Sequence, residues 1–440
     1  MSATAPSLWS RILHRPESSA PLGIFRIVFG VLVAGELAWY SLARPFMEVF
    51  YFDAQLHFAY PGWPPLPFFS GSAMQIYVAG LALAYLLLAA GAYYRIVRWV
   101  CCLGFGYLFF LERAAFLNHW YLTLLISGLL LVIPAHVRFS LDIRREPSLH
   151  RVSVPAWMRG SLLLLVALVY FMSGLAKLNP DWLSGRTMDL VLQTMAGGIE
   201  RAPDPGSTAI AGAWGIALLE LIAAPALFIR PVRRPAILLL TAFHLANLFF
   251  FTIGFFPILM IALTFLFWPR PQKTIPQPST PAVPTGKFRT ARYLLIPFFL
   301  LQIWLPLRHY RHDYNTLWTE DERLFTWDMF LAFKGGQAHF RVRDKINGRD
   351  LPVRPEESEL TWGQQNKIFK SPDMILQYAH YLERRYTREG GTPAVFAEVQ
   401  NGLNGRPEQA FVPPNLDLAR QKRRLWTSYP WVLPLQAPQP

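Results

Sequence analysis

The sequence predicts a polytopic α-helical membrane protein of about nine transmembrane helices, followed by a small C-terminal α+β domain on the exterior side. Three observations predict it. Of 440 residues, 53% are hydrophobic and only 16% are charged, and the mean hydropathy is +0.25, which is too apolar for an ordinary soluble domain. The Arg and Lys residues behind the formal net charge of +14 gather between apolar segments, as juxtamembrane loops do, so nucleic acid is not an expected partner. After about residue 307 the apolar runs give way to short alternating strands, turn residues and one amphipathic helix.

Residues 1–20 are polar, carry Arg11 and Arg15, and lack the apolar core and small-residue cleavage site of a signal peptide. The first membrane helix is therefore expected to be its own uncleaved anchor. Spans need about 20 apolar residues, fewer when wedged among neighbours. They read at 21–42, 74–94, 97–112, 119–137, 158–178, 209–229, 235–252, 254–268 and 291–306, within a membrane domain over 21–306. Basic residues fill alternate connections: Arg95 and Arg98, then Arg138 through Arg159, then Arg230, Arg233 and Arg234, then Arg270 through Arg289. By the positive-inside rule those connections and the N-terminus are cytoplasmic. The opposite connections are acidic or neutral, ending in the tight turn Thr252-Ile253-Gly254.

The Pro-rich stretch 269–286, PRPQKTIPQPSTPAVPTG, is incompatible with a helix and reads as a stiff cytoplasmic linker. A last helix returns the chain to the exterior, where 307–440 forms the α+β domain, long enough to hold a core. There Ala338–Asp344 and Arg349–Val353 flank an Asn347-Gly348 hairpin turn. Ser371-Pro372 opens a helix reaching about Tyr386, and a second strand pair, Ala394–Val399 and Gln409–Val412, flanks Asn401–Gly405. Cys101 and Cys102, the only cysteines, are adjacent within an apolar run and cannot staple distant loops.

The chemistry-bearing candidates are polar residues that interrupt apolar helices. The stretch 165–186, LVALVYFMSGLAKLNPDWLSGR, ends an apolar helix in Lys177 just before a helix-stopping Asn179-Pro180. Lys177 is either an anchor that snorkels to the interface or, because burial disfavours the charged ammonium, a neutral general base. Asn118-His119 opens the fourth span on the same side and offers two directed hydrogen-bonding groups beside apolar walls. His244, with Asn247 one turn on, intrudes into the seventh span, where ionisable groups are costly enough to suggest function. Arg26 and Glu36 in the first span read as contacts inside the bundle, and Glu220 in the sixth as a partner for a cation. His309 and His312 lack the Cys or carboxylate support of a metal site, so no metal is expected.

Several segments, in the same order, resemble the vitamin K-dependent gamma-glutamyl carboxylase family: PLGIFRIVFGVLV, FLNHWYL, VYFMSGLAKLNPDWLSG, FHLANLFFFTIGFFP and HYRHDYNTLWTEDERLFTWDMFLAFK. The resemblance runs from about residue 18 to about 430. It also identifies the membrane part as a horizontally transferred transmembrane domain of the kind many bacterial proteins share, which would make the exterior a periplasm. The resemblance implies that a reduced naphthoquinone, vitamin K hydroquinone or a related quinol, sits in a membrane-embedded cavity and is deprotonated by the residue matching Lys177. The anion reacts with dioxygen, and collapse toward the epoxide yields an alkoxide that removes the γ-proton of a peptide glutamate. Carbon dioxide then captures the carbanion. Asn118 and His119 match residues that bind the quinone oxygens, His244 matches a second histidine with a site-shaping role, and Trp327-Asp328 matches a substrate-binding motif. Water exclusion in a bilayer cavity suits an alkoxide base, and a lipophilic quinol can enter from lipid while a glutamyl peptide comes from outside.

Departures from the family fall on the fifth helix and on the exterior part. Ala176-Lys177 replaces two consecutive lysines, no cysteine is available for the family's disulfide between membrane and exterior parts, and the exterior domain, ending soon after Trp426 and Trp431, is expected to be shorter. The tyrosine-rich stretch tied to glutamate binding is here Glu322-Arg323-Leu324-Phe325-Thr326. The expected function is therefore quinol epoxidation coupled to glutamate carboxylation, with glutamyl recognition the step least matched. The alternative is a non-catalytic membrane protein, a quinone or lipid carrier or an export partner on the same fold, which would need neither Lys177 nor His119.

Overall fold

The computed structural model describes residues 13–436, apart from 43–45, 70, 196–204, 252, 270–284, 347, 352, 354–358, 389–391 and 425–427. Arg11, Thr252, Asn347, Trp426 and nearly all of the expected linker lie outside the described residues. The membrane part contains α1 (Ala20–Leu42), α2 (Ser72–Ala90), α3 (Tyr94–Leu111), α4 (Asn118–Val132), α5 (Ala156–Ala176), α6 (Ser207–Ala226), α7 (Arg233–Phe250), α8 (Phe256–Thr264) and α9 (Thr285–Leu307). Every segment expected to span thus falls on a helix, but only α1, α2, α3, α5 and α6 are long and apolar enough to cross a bilayer by length and composition among the described residues. The fourth segment was expected to reach residue 137; Pro134 instead ends α4 at Val132, because the residue before a proline leaves the helical region. The eighth shortens to nine residues and a 3₁₀ turn, Phe265–Phe267. The helix of α9 begins at Thr285, inside the stretch expected to be non-helical, since the last proline of that stretch is Pro284.

Apolar side chains cover the outside of this bundle as well as its inside. Ile76 and Leu83 on α2, Ile96 and Leu103 on α3, and Leu238 and Phe249 on α7 are all exposed, as lipid-facing surfaces require and water-facing ones rarely allow. Inside, small residues let backbones meet. A Cβ on Gly30 would lie 2.6 Å from the Tyr85 carbonyl oxygen, and one on Gly174 would lie 2.8 Å from the Leu221 backbone nitrogen. These close approaches lock α1 to α2 and α5 to α6. The second matters for the site: Lys177 lies one turn beyond Gly174, and Glu220 immediately precedes Leu221.

Arg26 is fully buried and spends its donors on backbone carbonyls. Nη1 donates to Leu88 and Ala89 at 2.6 and 2.5 Å, Nη2 to Phe139 at 2.5 Å and Nε to Ala135 at 3.2 Å. It caps the C-terminal end of α2, supplying a donor to the Ala89 carbonyl and a second donor to the Leu88 carbonyl, which also accepts from the Gly91 amide. A two-stranded ladder that the sequence did not suggest, β1 (Pro16–Ser18) against β2 (Ser153–Pro155), ties the start of α1 to the start of α5.

The exterior domain is a four-stranded antiparallel sheet in the order β4-β3-β5-β6: β3 (Lys334–Asp344), β4 (Asp350–Leu351), β5 (Pro393–Leu403) and β6 (Gln409–Ala410). The two expected strand pairs are present, but they are joined through an eleven-residue β3–β5 ladder from Lys334↔Leu403 to Asp344↔Pro393. Helices α10 (Trp362–Ile368), with a Thr361/Gln364 capping box, and α11 (Pro372–Arg388) accompany the sheet. Ile375, Ala379 and Leu382 of α11 and Val395, Ala397 and Val399 of β5 are buried together in its core.

Ion pairs, not a disulfide, dock this domain on the membrane part; Cys101 and Cys102 are both free. Asp373 receives Arg113 at 2.7 Å, Arg423 at 2.9 Å and the Tyr429 hydroxyl at 2.8 Å. Burial works against the Asp373 carboxylate, yet the two guanidiniums outweigh it and hold the carboxyl below its usual range. Glu112 accepts from Gln364 Nε2 at 2.8 Å and pairs with His57 at 3.0 Å.

Candidate active site

A cavity of about 510 Å³ opens within the helix bundle. Its walls come from α1, α4, α5, α6, α7 and α8, and its exterior face is formed by Asp328, Met329, Phe330 and Trp362. Most of the lining is apolar or aromatic, which is the usual character of a small-molecule site of this size.

At one wall, α5 ends at Ala176 and Lys177 sits at its C-cap. Asn179 starts the next helical turn, its Oδ1 accepting from the Trp182 amide at 3.0 Å, so the chain turns sharply and Lys177 is held inward. Its Nζ donates to Glu220 Oε2 at 2.7 Å and to Ser173 Oγ at 2.8 Å, and lies 5.2 Å from the Trp182 ring centre. The residue is 3% exposed. This rules out a snorkelling anchor. The amine is also not isolated: its partner is the buried Glu220 carboxylate, so the group on this wall is a lysine–glutamate couple.

The His119 ring sits at the start of α4, with Nε2 2.7 Å from Glu36 Oε1 across 83 residues of sequence; both are buried. The carboxylate fixes the ring's orientation and restrains its tautomer, as such partners do. Asn118, beside it, reaches toward the Asp328 carbonyl oxygen at 3.5 Å. His244 Nε2 bonds the Tyr170 hydroxyl at 2.8 Å, which in turn bonds Thr264 Oγ1 at 2.9 Å, while His244 Nδ1 is buried without a partner among the described residues.

The face next to the C-terminal domain includes the end of the segment 320–330, which has an unusual backbone conformation. Glu320, Glu322, Phe325, Trp327 and Phe330 all have φ between 57° and 67°, a region that costs a non-glycine residue free energy unless its surroundings impose it. Those surroundings include Arg323 paired with Asp328 at 2.5 Å, Glu322 paired with both Arg311 and His312, and Phe325 set among Tyr60, Phe116 and Tyr121. Burial raises the Asp328 carboxyl above its usual range, opposed by Arg323, and its Oδ1 has no partner among the described residues. Trp327 does not line the cavity; it lies behind the lining, 5.2 Å from the Tyr121 ring. His309 stacks on Tyr310 while His312 faces Glu322, and no group of three or more metal-ligating side chains forms among the described residues.

Two family models match the chain, one describing an HTTM domain over residues 14–271 and the other a vitamin K-dependent gamma-carboxylase lumenal domain over residues 287–438. This chain belongs to the vitamin K-dependent gamma-carboxylase family. No solved structure matches it. The boundary between the two family domains falls where the bundle gives way to α9 and the exterior sheet, and the cavity of this carboxylase-family protein is built from both sides of that boundary.

Asn118, His119, Lys177, His244 and Asp328 all line the one cavity. The sequence reading offered Glu220 as a partner for a cation and Glu36 only as a contact inside the bundle, although a carboxylate in an apolar helix was the signal for both. Tyr170 and Ser173 carried no signal, since hydroxyls are common in membrane helices. Their roles come from rotation of α5, which turns Ser173 toward Lys177 and Tyr170 toward His244 and Thr264.

Proposed function

We propose that this protein is a gamma-glutamyl carboxylase-like enzyme that couples oxygenation of vitamin K hydroquinone, or a related quinol, to carboxylation of a glutamyl side chain. The observation that carries this reading is the convergence of Lys177–Glu220, Asn118, His119–Glu36, His244 and Asp328 on a single apolar cavity. They come from separate segments of the chain. A carrier of lipid or quinone needs the apolar walls but not two buried carboxylate-clamped bases.

The cavity fits such a quinol. Phe243, Phe256, Met260 and Ile216 offer apolar faces to a fused ring, and polar groups reach it from α4, the end of α5, α6 and α7. When bound, the quinol supplies, with dioxygen, a base strong enough to take the γ-proton of glutamate, and carbon dioxide adds to the carbon so exposed. Lys177 Nζ and Glu220 Oε2 lie 2.7 Å apart, close enough for a proton to pass between them. With that proton on the carboxyl, the Lys177 amine is free to accept a substrate proton, and Ser173 Oγ helps to hold the resulting ammonium. Asn118 and the Glu36-oriented His119 provide hydrogen bonds to an oxygen beside the start of α4. Tyr170 and Thr264 hold the His244 ring in place. The apolar and aromatic walls limit water at the reacting atoms, and Asp328 lines the side of the cavity next to the C-terminal domain, where a glutamyl substrate would arrive.

The accompanying topology is nine spans with a cytoplasmic N-terminus, a cytoplasmic linker over 269–286 and a non-cytoplasmic C-terminal domain, supported by the alternation of basic connections. The partners are the bilayer and a glutamyl peptide or protein on the exterior side. The test is to incubate purified protein with vitamin K hydroquinone, labelled bicarbonate and a glutamyl peptide, then measure epoxide and incorporated label. Wild type is expected to form both products. Absence of epoxide from wild type, or equal epoxide from Lys177→Ala, overturns the enzyme reading, and quinone binding without turnover would then favour a carrier.

A further inference from the structure

Immediately after Lys177 the chain forms a short helix, Pro180–Leu183, and then an amphipathic one, Arg186–Met195. Met188 and Val191 of the second helix face the cavity, while Leu190 packs toward Gly405 of the exterior domain. This segment therefore lies between the site and the sheet. Trp182 Nε1 ties it to the Ala213 carbonyl of α6 at 2.8 Å, and one carboxylate ties it to the C-terminal domain. Asp181 receives Arg406 bidentately, Nη2 to Oδ1 at 2.6 Å and Nη1 to Oδ2 at 2.7 Å, and accepts from Asn404 Nδ2 at 2.9 Å. Burial works against this carboxylate, and Arg406 and Asn404 outweigh it.

Asn404 is completely buried and has φ 51°. Its other contacts all go to the far end of the segment that carries Asp328. Its Oδ1 accepts from the Phe333 amide at 2.8 Å, its own amide donates to the Phe333 carbonyl at 2.9 Å, and Nδ2 also reaches the Leu331 carbonyl at 3.2 Å. One side chain thus joins three pieces: the turn after β5, the chain just past Lys177 and the chain just past Asp328. Every polar atom of the Asn404 side chain is used to join them.

We propose that Asp181, Asn404 and Arg406 form a positioning latch that fixes the Lys177 wall of the cavity against the Asp328 wall. The latch touches neither the quinol pocket nor a reacting atom; it acts through the two segments it joins. It does the work of a covalent link between membrane and exterior parts by hydrogen bonds, which can be broken and re-formed. The catalytic consequence rests on the carboxylase reading: a quinol-derived base formed near Lys177 must meet a glutamate presented at Asp328, and a loosened latch separates the two reactions.

Two measurements test it, and the first does not depend on activity. Hydrogen exchange of the full chain in lipid nanodiscs is compared for wild type, Arg406→Ala, Asp181→Asn and the milder Arg406→Lys, which keeps the charge but loses the bidentate geometry. The latch requires about tenfold faster exchange in both 181–195 and 328–333 in the first two variants, less in Arg406→Lys, with β3 and β5 unchanged. Acceleration confined to 401–406, or spread equally through the sheet, overturns the proposal; if Arg406→Ala does not fold, Asp181→Asn and Arg406→Lys decide. The second measurement is the ratio of carboxylate to epoxide formed. It is expected to fall about fivefold in Arg406→Lys while the quinol KM stays within about twofold, and a parallel loss of both products overturns the positioning role. A wild type that forms no epoxide but passes the exchange test leaves the latch standing and removes only the carboxylase reading.

Discussion

Arg26 and Lys177 are both cations buried in the same helix bundle, and they have opposite uses. Arg26 directs its guanidinium to four backbone carbonyls and does not line the chamber that Lys177 lines. Lys177 meets one carboxylate and one hydroxyl on the wall of an apolar chamber of about 510 Å³. The difference teaches that burial of a charge in a membrane helix does not by itself identify a site. A cation satisfied by backbone is part of the scaffold, whereas one held by a carboxylate on a cavity wall is placed to meet whatever the cavity holds.

The comparison can be broken most directly at Lys177. Lys177→Ala is expected to lower epoxide formation about a thousandfold, within the range for loss of a general base, while the purified protein keeps its size-exclusion profile. Arg26→Met should do the reverse. It removes the side-chain donor to the buried Ala89, Ala135 and Phe139 carbonyls and is expected to cost on the order of 3–5 kcal/mol of stability, seen as a lower thermal midpoint, with turnover per folded molecule unchanged. Should Arg26→Met instead lose turnover at full stability, the division between scaffold and site collapses.

Smaller effects sharpen the picture. Glu36→Gln keeps the shape beside His119 but loses the charge-assisted bond, and epoxide formation is expected to fall about tenfold, with Glu36→Asp recovering part of it. Docking of the exterior domain should depend on pH through Asp373. Its folded value lies below the unfolded value of about 3.9, so its contribution is complete above that value and is lost as pH falls through the lower folded one. Thermal unfolding followed from pH 7 downward should therefore show acid loosening of the domain that Asp373→Asn removes. Trp327→Phe is expected to change kcat by less than about threefold, because the ring packs on Tyr121 behind the cavity lining; a large rise in peptide KM would return Trp327 to the site.

Much of the membrane part was legible in the sequence because hydropathy and charge alternation are local properties. Each apolar run is a helix, Asn118 begins α4, and Asn179-Pro180 ends the helix at the lysine. The departures have local causes too, such as Pro134 truncating α4. The exterior domain was legible as strands and one helix, but its central ladder was not: β3 and β5 are separated by the chain that forms β4, α10 and α11, and pairing over such a distance leaves no periodic trace. The segment 320–330 was hardest to read, because five non-glycine residues there take a conformation that only their tertiary neighbours impose.

The sequence by itself determined that apolar helices would carry a few costly polar residues, and which ones those were. Only the tertiary structure decided how they pair. Lys177 and Glu220 are 43 residues apart and His119 and Glu36 are 83 apart, and each pair forms because neighbouring helices pack at a given depth and rotation. At Lys177 that depth is set by Gly174, whose missing side chain lets α5 meet the backbone of α6. Hydrophobicity brings helices into a membrane without specifying which faces meet; close packing and the cost of an unpaired buried charge make that choice.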